Sequence, residues 1–242
     1  MNKAVNGVDG CKAGWVVWHL ADQQPVCHIV EKLIDALSLM RSAHSLIDIP
    51  IGFSDASTPD RLCDKAARQL LGRRASSVFP VPCREAAYAS SYLDACEVNQ
   101  AALGKKLSKQ SWYILPKVIQ ADVLLTHYPN LILRESHPEV VFTALNGAPL
   151  EYNKKSPEGE QQRLAIIEKR APQWMAVLDH QLKTIARKTA NRDDIIDAFA
   201  LMLIAREWPY LSTLPVNPDK DANGRVREIV YFANDTRASG LS

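Results

Sequence analysis

Along the first thirty positions, apolar residues fall into short runs separated by turn residues. Residues 3–9 (KAVNGVD), 14–20 (GWVVWHL) and 26–30 have strand length and composition, with Gly10 and the 21–25 segment as the turns between them. From Glu31 to Ser42 the period changes: Leu33, Ile34, Leu37 and Met40 recur at helical spacing. Residues 45–51 (SLIDIPI) form another apolar run of strand length, closed by Pro50 and Gly52. Three strands, a helix and then a buried strand predict an α/β domain.

The pattern then turns helical. A helix is predicted from Thr58-Pro59 to Gly72, an ordered loop over 73–84, and helices over 86–103 and 111–127, the last with a break or kink at Pro116. Residues 54–130 therefore read as a helical insertion after the fourth strand, within a single domain spanning 1–242. A fifth strand is predicted over 131–136, and helices over 138–145, 158–170, 173–188 and 194–208. Residues 227–232 read as a closing strand, 217–224 as a flexible loop and 233–242 as a frayed tail.

Composition narrows the class. The 47% hydrophobic content supplies a full core, and five widely spaced cysteines without a C-x-x-C pair suggest neither a zinc site nor a disulfide framework. The start, MNKAVNGVDG, carries no apolar signal segment, and no stretch is long enough to span a bilayer, so a soluble, cytoplasmic protein without membrane partners is expected. Net charge is only +2, but residues 60–120 hold ten Lys/Arg against five Asp/Glu. That surplus fits either a patch for a polyanion or an ordinary solvated helical surface.

Four aspartates stand out. Asp9 precedes a glycine at the predicted end of the first strand, where an ordinary turn residue is also at home. Asp48 lies between Ile47 and Ile49, where an unpaired charge is expensive to bury, so it needs a cation or a set of donors. Asp194 and Asp197 are three apart and project from one helix face. Asp194 also suits a helix cap, whereas Asp197 leads straight into an apolar helix. Two carboxylates facing one way repel unless a proton or a hard cation such as Mg²⁺ neutralises them.

An aspartate on the first strand, an acid on the fourth and a D-x-x-D pair on a late helix resemble the acid pattern of ribonuclease H-like nucleases, notably RuvC-type resolvases. The blocks GVDGCKAGW (7–15), IDIPIGF (47–53), LGRRASSVFPVPCREA (71–86), SKQSWYILPKV (108–118), ESHPEVVF (135–142) and DDIIDAFAL (193–201) are similar to the signature blocks of the DUF429 family. That bacterial and archaeal family is described as predicted nucleases. The resemblance implies a ribonuclease H-like mixed five-stranded sheet flanked by helices. It also implies Asp9, Asp48, Asp194 and Asp197 as catalytic acids holding Mg²⁺ or Mn²⁺. The implied reaction is two-metal hydrolysis of a DNA or RNA phosphodiester, with the ions roughly 4 Å apart. Glu135, in the ESHPE block, is a further catalytic candidate, with an ion pair to an arginine as its other reading. His137 is a candidate for proton transfer or phosphate contact, against a structural role.

Arg73, Arg74, Arg84, Lys109 and Lys117 fall within these blocks and are expected to bind substrate phosphate. Trp112 is a candidate for stacking on a base, with core packing as the alternative. Two other functions remain in view: a non-catalytic nucleic-acid-binding module of the same fold, and an ATPase or sugar-kinase-like phosphotransferase. The latter is disfavoured by a single core and the absence of a glycine-rich phosphate loop. The sequence leaves monomer or homodimer open.

Overall fold

The computed structural model describes residues 3–233. β1 (Ala4–Cys11) and β2 (Gly14–Leu20) form an antiparallel hairpin, and β3 (Val26–Val30) adds to β2 antiparallel. A 3₁₀ turn over Leu33–Ala36 and the one-turn helix α1 (Leu37–Met40) bury Leu33, Ala36 and Met40. The chain returns as β4 (Ala43–Asp48), parallel to β1. Four helices follow: α2 (Leu62–Leu71), α3 (Arg84–Ala87), α4 (Tyr92–Leu103) and α5 (Lys109–His127). β5 (Leu133–Glu135) then pairs parallel with β4, giving a five-stranded mixed sheet of order β3-β2-β1-β4-β5. After it come α6 (Pro138–Asn146), α7 (Pro157–Arg170), α8 (Met175–Thr184), α9 (Arg192–Ala205) and an antiparallel ribbon, β6 (Ser212–Lys220) and β7 (Val226–Tyr231).

Strand alternation divides the core in two. Val5, Val16, Trp18 and Leu46 pack with α6–α9 on one face, and Val8, Trp15, Val17 and Ile47 pack with α5 on the other. α9 is buried along its whole length from Ile195 to Ala205, as its unbroken apolar run requires. It lies directly on β1. A Cβ at Gly7 would stand 2.0 Å from the Ala198 carbonyl oxygen and 2.1 Å from the Met202 nitrogen, so only glycine permits the contact.

Several boundaries differ from the sequence pattern for identifiable reasons. β1 does not end at Gly10; Gly10 and Cys11 still pair with Trp15 and Gly14, and Lys12-Ala13 make the turn. The helix expected from Thr58 begins at Leu62, because the Asp55 carboxylate accepts from the Ser57 and Thr58 amides and holds them in a turn. The helix expected over 86–103 is two, with Ser91 capping the second by accepting from the Asp94 amide. α5 runs unbroken across Pro116; its buried positions Ser111, Leu115, Val118, Ala121 and Leu124 outweigh one missing hydrogen bond. The loop expected over 217–224 is strand to Lys220, then a turn in which Asp221 accepts from the Asn223 and Arg225 amides. The strand expected over 227–232 is present as β7, but it pairs with β6 and does not join the five-stranded sheet, which it meets just past β5 through a single bridge, Ser136 to Val230. The expected tail beyond residue 233 lies outside the described residues. Among those described, no helix is long and apolar enough to cross a membrane.

Candidate active site

Asp9 and Asp48 are register partners on the adjacent parallel strands β1 and β4. Alternation puts Asp9 on the face of Val5 and Gly7, and Asp48 on the face of Leu46, which is the face covered by α9. Asp197 precedes Ala198, the residue that seats on Gly7, so the close helix–strand contact brings a third carboxylate to the same point. All three line one cleft of about 330 Å³, with Glu135, His137, Lys117, Glu139 and Lys154 also in its wall.

The electrostatics follow from crowding. Burial pushes the Asp9 carboxyl well above the usual carboxylate range, and the charges of Asp48 and Asp197 push it further. Asp48 opens onto the cleft and is half-buried, yet burial still raises it, against the pull of His137 and Lys154. Asp197 is fully buried. Its Oδ2 accepts from Lys154 Nζ at 2.8 Å, while its Oδ1 is buried with no partner. Lys154 Nζ also stands 3.7 Å from Asp193, and the Asp197 charge raises the lysine above its ordinary value.

Asp194 is at the edge of this group and not in the cleft wall. It closes a capping box, accepting from the Asn191 amide at 2.9 Å and from Asn191 Nδ2 at 3.2 Å. Burial still lifts it to about 6. Glu135 is in the wall but paired: its Oε2 accepts from Arg61 at 2.5 Å and from the Ile51 amide at 2.7 Å. Burial raises it, and Arg61 opposes that rise. His137 caps α6: its Nδ1 accepts from the Glu139 amide, and its Nε2 lies 3.3 Å from the Ser77 carbonyl. Both ring nitrogens are thus engaged with protein.

The residues expected to bind phosphate divide sharply. Lys117 lies in the cleft wall, donating to the Gly14 carbonyl and stacking over Trp15, with burial lowering its pKa. It crosses β1 at Gly10, where a Cβ would meet its chain at 2.6 Å. Arg73 donates to the Leu150 carbonyl, and Arg74 to those of Leu150 and Glu151. Arg84 pairs with Asp122 and Asp221 and stacks on Phe53. Lys109 sits over Tyr92, and Trp112 packs edge-on against the same ring. The structure brings none of these last five into the cleft wall.

Lys154 and Glu139 were not singled out by the sequence. Glu139 pairs with Arg163 at 2.5 Å and keeps its other oxygen, Oε2, buried without a partner. Its position two residues after His137 in the ESHPE block was the available signal. Lys154 had none, since 151–157 (EYNKKSP) is a polar connection between the helices expected over 138–145 and 158–170.

An all-oxygen set of three crowded aspartates, one with an orphaned buried oxygen, fits a hard divalent cation in charge and chemistry. In the present side-chain arrangement no group of three His, Cys, Asp or Glu residues is set to hold an ion, among the described residues. The Lys154 ammonium pairs with Asp197, and Lys117 adds positive charge that acts on Asp9.

No curated protein and no solved structure matches the chain. A family described as "Protein of unknown function (DUF429)" matches residues 7–223. That span runs from β1 to the turn between β6 and β7 and includes every residue of the cleft wall up to Asp197, and so the chain belongs to the DUF429 family.

Proposed function

We propose that the protein is a divalent-metal-dependent nuclease of ribonuclease H-like fold, acting on DNA or RNA in the cytoplasm. The strand order, with two antiparallel pairs followed by two parallel ones, supports that fold reading, and the helices between β4 and β5 are then its insertion. The observation that carries the functional reading is the meeting of Asp9, Asp48 and Asp197 in one cleft, with Asp197 Oδ1 buried and unpartnered.

Asp9, Asp48 and Asp197 would hold Mg²⁺ or Mn²⁺, with Asp194 behind them. When bound, the metal supplies Lewis-acid polarisation of the phosphate and a lowered pKa for water. Lys117 and Lys154 put positive charge beside the substrate phosphate. Hydrolysis adds the oxygen of water to phosphorus and breaks the bond to the leaving sugar oxygen, which takes up a proton. The neutral wall of Ile49, Pro50, Val78 and Phe79 keeps bulk water from the acids and strengthens every charge among them.

The test is an assay of single-stranded, duplex and branched DNA and RNA with Mg²⁺ and with Mn²⁺. Cleavage is expected with at least one substrate, and Asp197→Asn should reduce it by about 10³-fold while retaining the fold. A second reading, a non-catalytic binding module, is favoured by the Lys154–Asp197 pair, which neutralises part of the cluster without a metal. Absence of cleavage on every substrate with either ion, or full activity in Asp197→Asn, would leave that second reading in place.

A further inference from the structure

Arg73, Arg74, Arg84 and Lys109 are absent from the cleft wall, so a nucleic acid lying there needs its backbone cations elsewhere. A second concavity, of about 250 Å³, shares Lys154 with the cleft. Four cations line it: Lys154 and Lys155 from the α6–α7 connection, Arg187 from the α8–α9 connection and Arg192 from the first turn of α9. Its remaining walls are Asn191 and two acids, Glu160 and Asp193, so no apolar side chain is among them. Each acid has a cation. Glu160 accepts from Arg192 through two bonds of 2.8 Å, and Asp193 lies 3.7 Å from the Lys154 ammonium, which also bonds Asp197 at 2.8 Å. Lys155 and Arg187 are exposed, and among the described residues neither has an acid within ion-pair distance.

The hairpin turn adds a third exposed cation. Lys12 donates to the Arg187 carbonyl at 2.9 Å, a bond that orders both segments but leaves the ammonium its charge and further donors. The Ala13 amide donates to the Thr189 carbonyl at 2.9 Å, and the Thr189 amide to the Ala186 carbonyl at 2.8 Å, so the segment carrying Arg187 is tied to the hairpin. On the other side, the Lys155 amide donates to Asn153 Oδ1 at 2.9 Å, and Ser156 caps α7 by accepting from the Gly159 amide. From the opposite face of the sheet, Lys117 reaches the same hairpin and donates to the Gly14 carbonyl. Asp9 and Asp197 are buried, whereas Lys12, Lys155 and Arg187 stand exposed. The floor is anionic and the rim cationic.

We propose that Lys12, Lys155 and Arg187 form a phosphate-binding surface for the backbone of a nucleic acid strand that continues out of the cleft past Lys154, and that they hold it without regard to base sequence. This rests on the reading of the cleft as a nucleic-acid site, whether or not the cleft cleaves. Lys and Arg are the side chains that meet phosphate as point charge and as bidentate donor. The wall offers no aromatic ring on which a base could stack and no apolar pocket to anchor a peptide side chain. Contacts of this kind position a strand and carry no sequence information.

The experiment is fluorescence anisotropy with labelled single-stranded and duplex DNA and RNA of two unrelated sequences, in chelator so that no ion-dependent cleavage intervenes, over a salt series. Wild type is compared with Lys155→Ala/Arg187→Ala and with Lys65→Ala/Lys109→Ala, a charge-matched control on exposed lysines of α2 and α5. Lys12 is retained, because its bond to the Arg187 carbonyl also orders the chain. Circular dichroism establishes that each variant is folded. The first double variant should bind about tenfold more weakly at low salt, with a log–log salt slope shallower by about 1.4 on single strands and about 1.8 on duplexes, the effect of two lost phosphate contacts. The control should match wild type, and the two sequences should bind alike. Equal loss in both double variants, or none in the first, overturns the inference, and cleavage retained with Mg²⁺ or Mn²⁺ then shows that the nuclease reading survives. Wild type that binds no oligonucleotide in chelator overturns it too. So does tighter binding of polyglutamate through the same two residues, which makes an acidic protein the partner. Binding that depends on Lys155 and Arg187 in a protein that cleaves nothing with either ion supports the inference and removes the nuclease reading alone.

Discussion

Glu135 and Glu139 line the same cleft as Asp9, Asp48 and Asp197, yet each glutamate lies against an arginine at 2.5 Å, whereas among the three aspartates only Asp197 has an ion pair, with Lys154. All five carboxyls are drawn from neighbouring elements, and Asp9, Glu135, Glu139 and Asp197 are all buried. What separates them is the state of their partners. A buried acid set against an arginine has its charge compensated, and breaking the pair leaves an uncompensated charge. Crowded acids with too few partners raise one another's proton affinity and gain from any cation that arrives. The first arrangement belongs to the fold, and the second is the one that the proposed function gives to a ligand. Under the proposed function, the side of the cleft against α2 is structural and the side against α9 is the working face.

The comparison is broken most forcefully from its compensated half. Arg61→Met should destabilise the fold by about 3–5 kcal/mol, since Glu135 is left buried beside Asp64 without its counter-ion. Urea denaturation measures this, and a loss under about 1 kcal/mol, the value of an exposed pair, would remove the distinction. Gly7→Ala attacks the other half. The added methyl meets the α9 backbone, so a loss of about 1–3 kcal/mol is expected together with weakened Mn²⁺ binding, as Asp197 is moved from Asp9. Unchanged Mn²⁺ affinity in a destabilised Gly7→Ala would show that helix seating does not set the cluster.

The smallest effect is the most diagnostic. Asp9, Asp48 and Asp194 all have folded-state pKa values raised above their ordinary ones, so the native chain binds protons that the unfolded chain has released. Their contribution to metal-free stability is then full below the unfolded carboxylate value of about 4 and is lost as pH rises, through about 6 for Asp194 and through the raised values of Asp9 and Asp48. Asp48→Asn should flatten that fall and leave stability at neutral pH unchanged or slightly higher. Thermal melts across the range in chelator check it, and a variant that is less stable by about 1–3 kcal/mol at neutral pH would mark Asp48 as a structural acceptor.

The working face was more legible in the sequence than the compensated one. Asp48 in an apolar strand and Asp197 in an apolar helix are local contradictions, visible without knowing what lies opposite. Glu135 and Glu139 carry no such contrast, and their partners Arg61 and Arg163 come from helical segments that read as ordinary surface. Lys154 was invisible because a lysine in a polar loop is the expected residue there; the bonds from Arg73 and Arg74 to the carbonyls of Leu150 and Glu151, just before it, exist only in the fold. Those two arginines show the converse error, since their charge suggested phosphate while their guanidinium groups hold main-chain carbonyls. β6 was hidden by Pro215 and Pro218, which fall in the irregular stretch between Leu214 and Asp219 where the register with β7 is interrupted.

The seating of α9 on Gly7 also has a kinetic side. Residues 7 and 198 are separated by nearly the whole chain, so their contact is among the most expensive in loop closure and is expected to form late. Until it does, Asp197 is remote from Asp9 and Asp48, and the three acids do not feel one another. Their repulsion is then absent from the folding transition state and present only in the finished molecule. Removing it, as in Asp48→Asn, should slow unfolding while leaving the folding rate nearly unchanged, so that the two arms of a chevron plot shift by different amounts. A cation entering the completed cleft would act on the same arm, prolonging the lifetime of the native state without hastening its arrival.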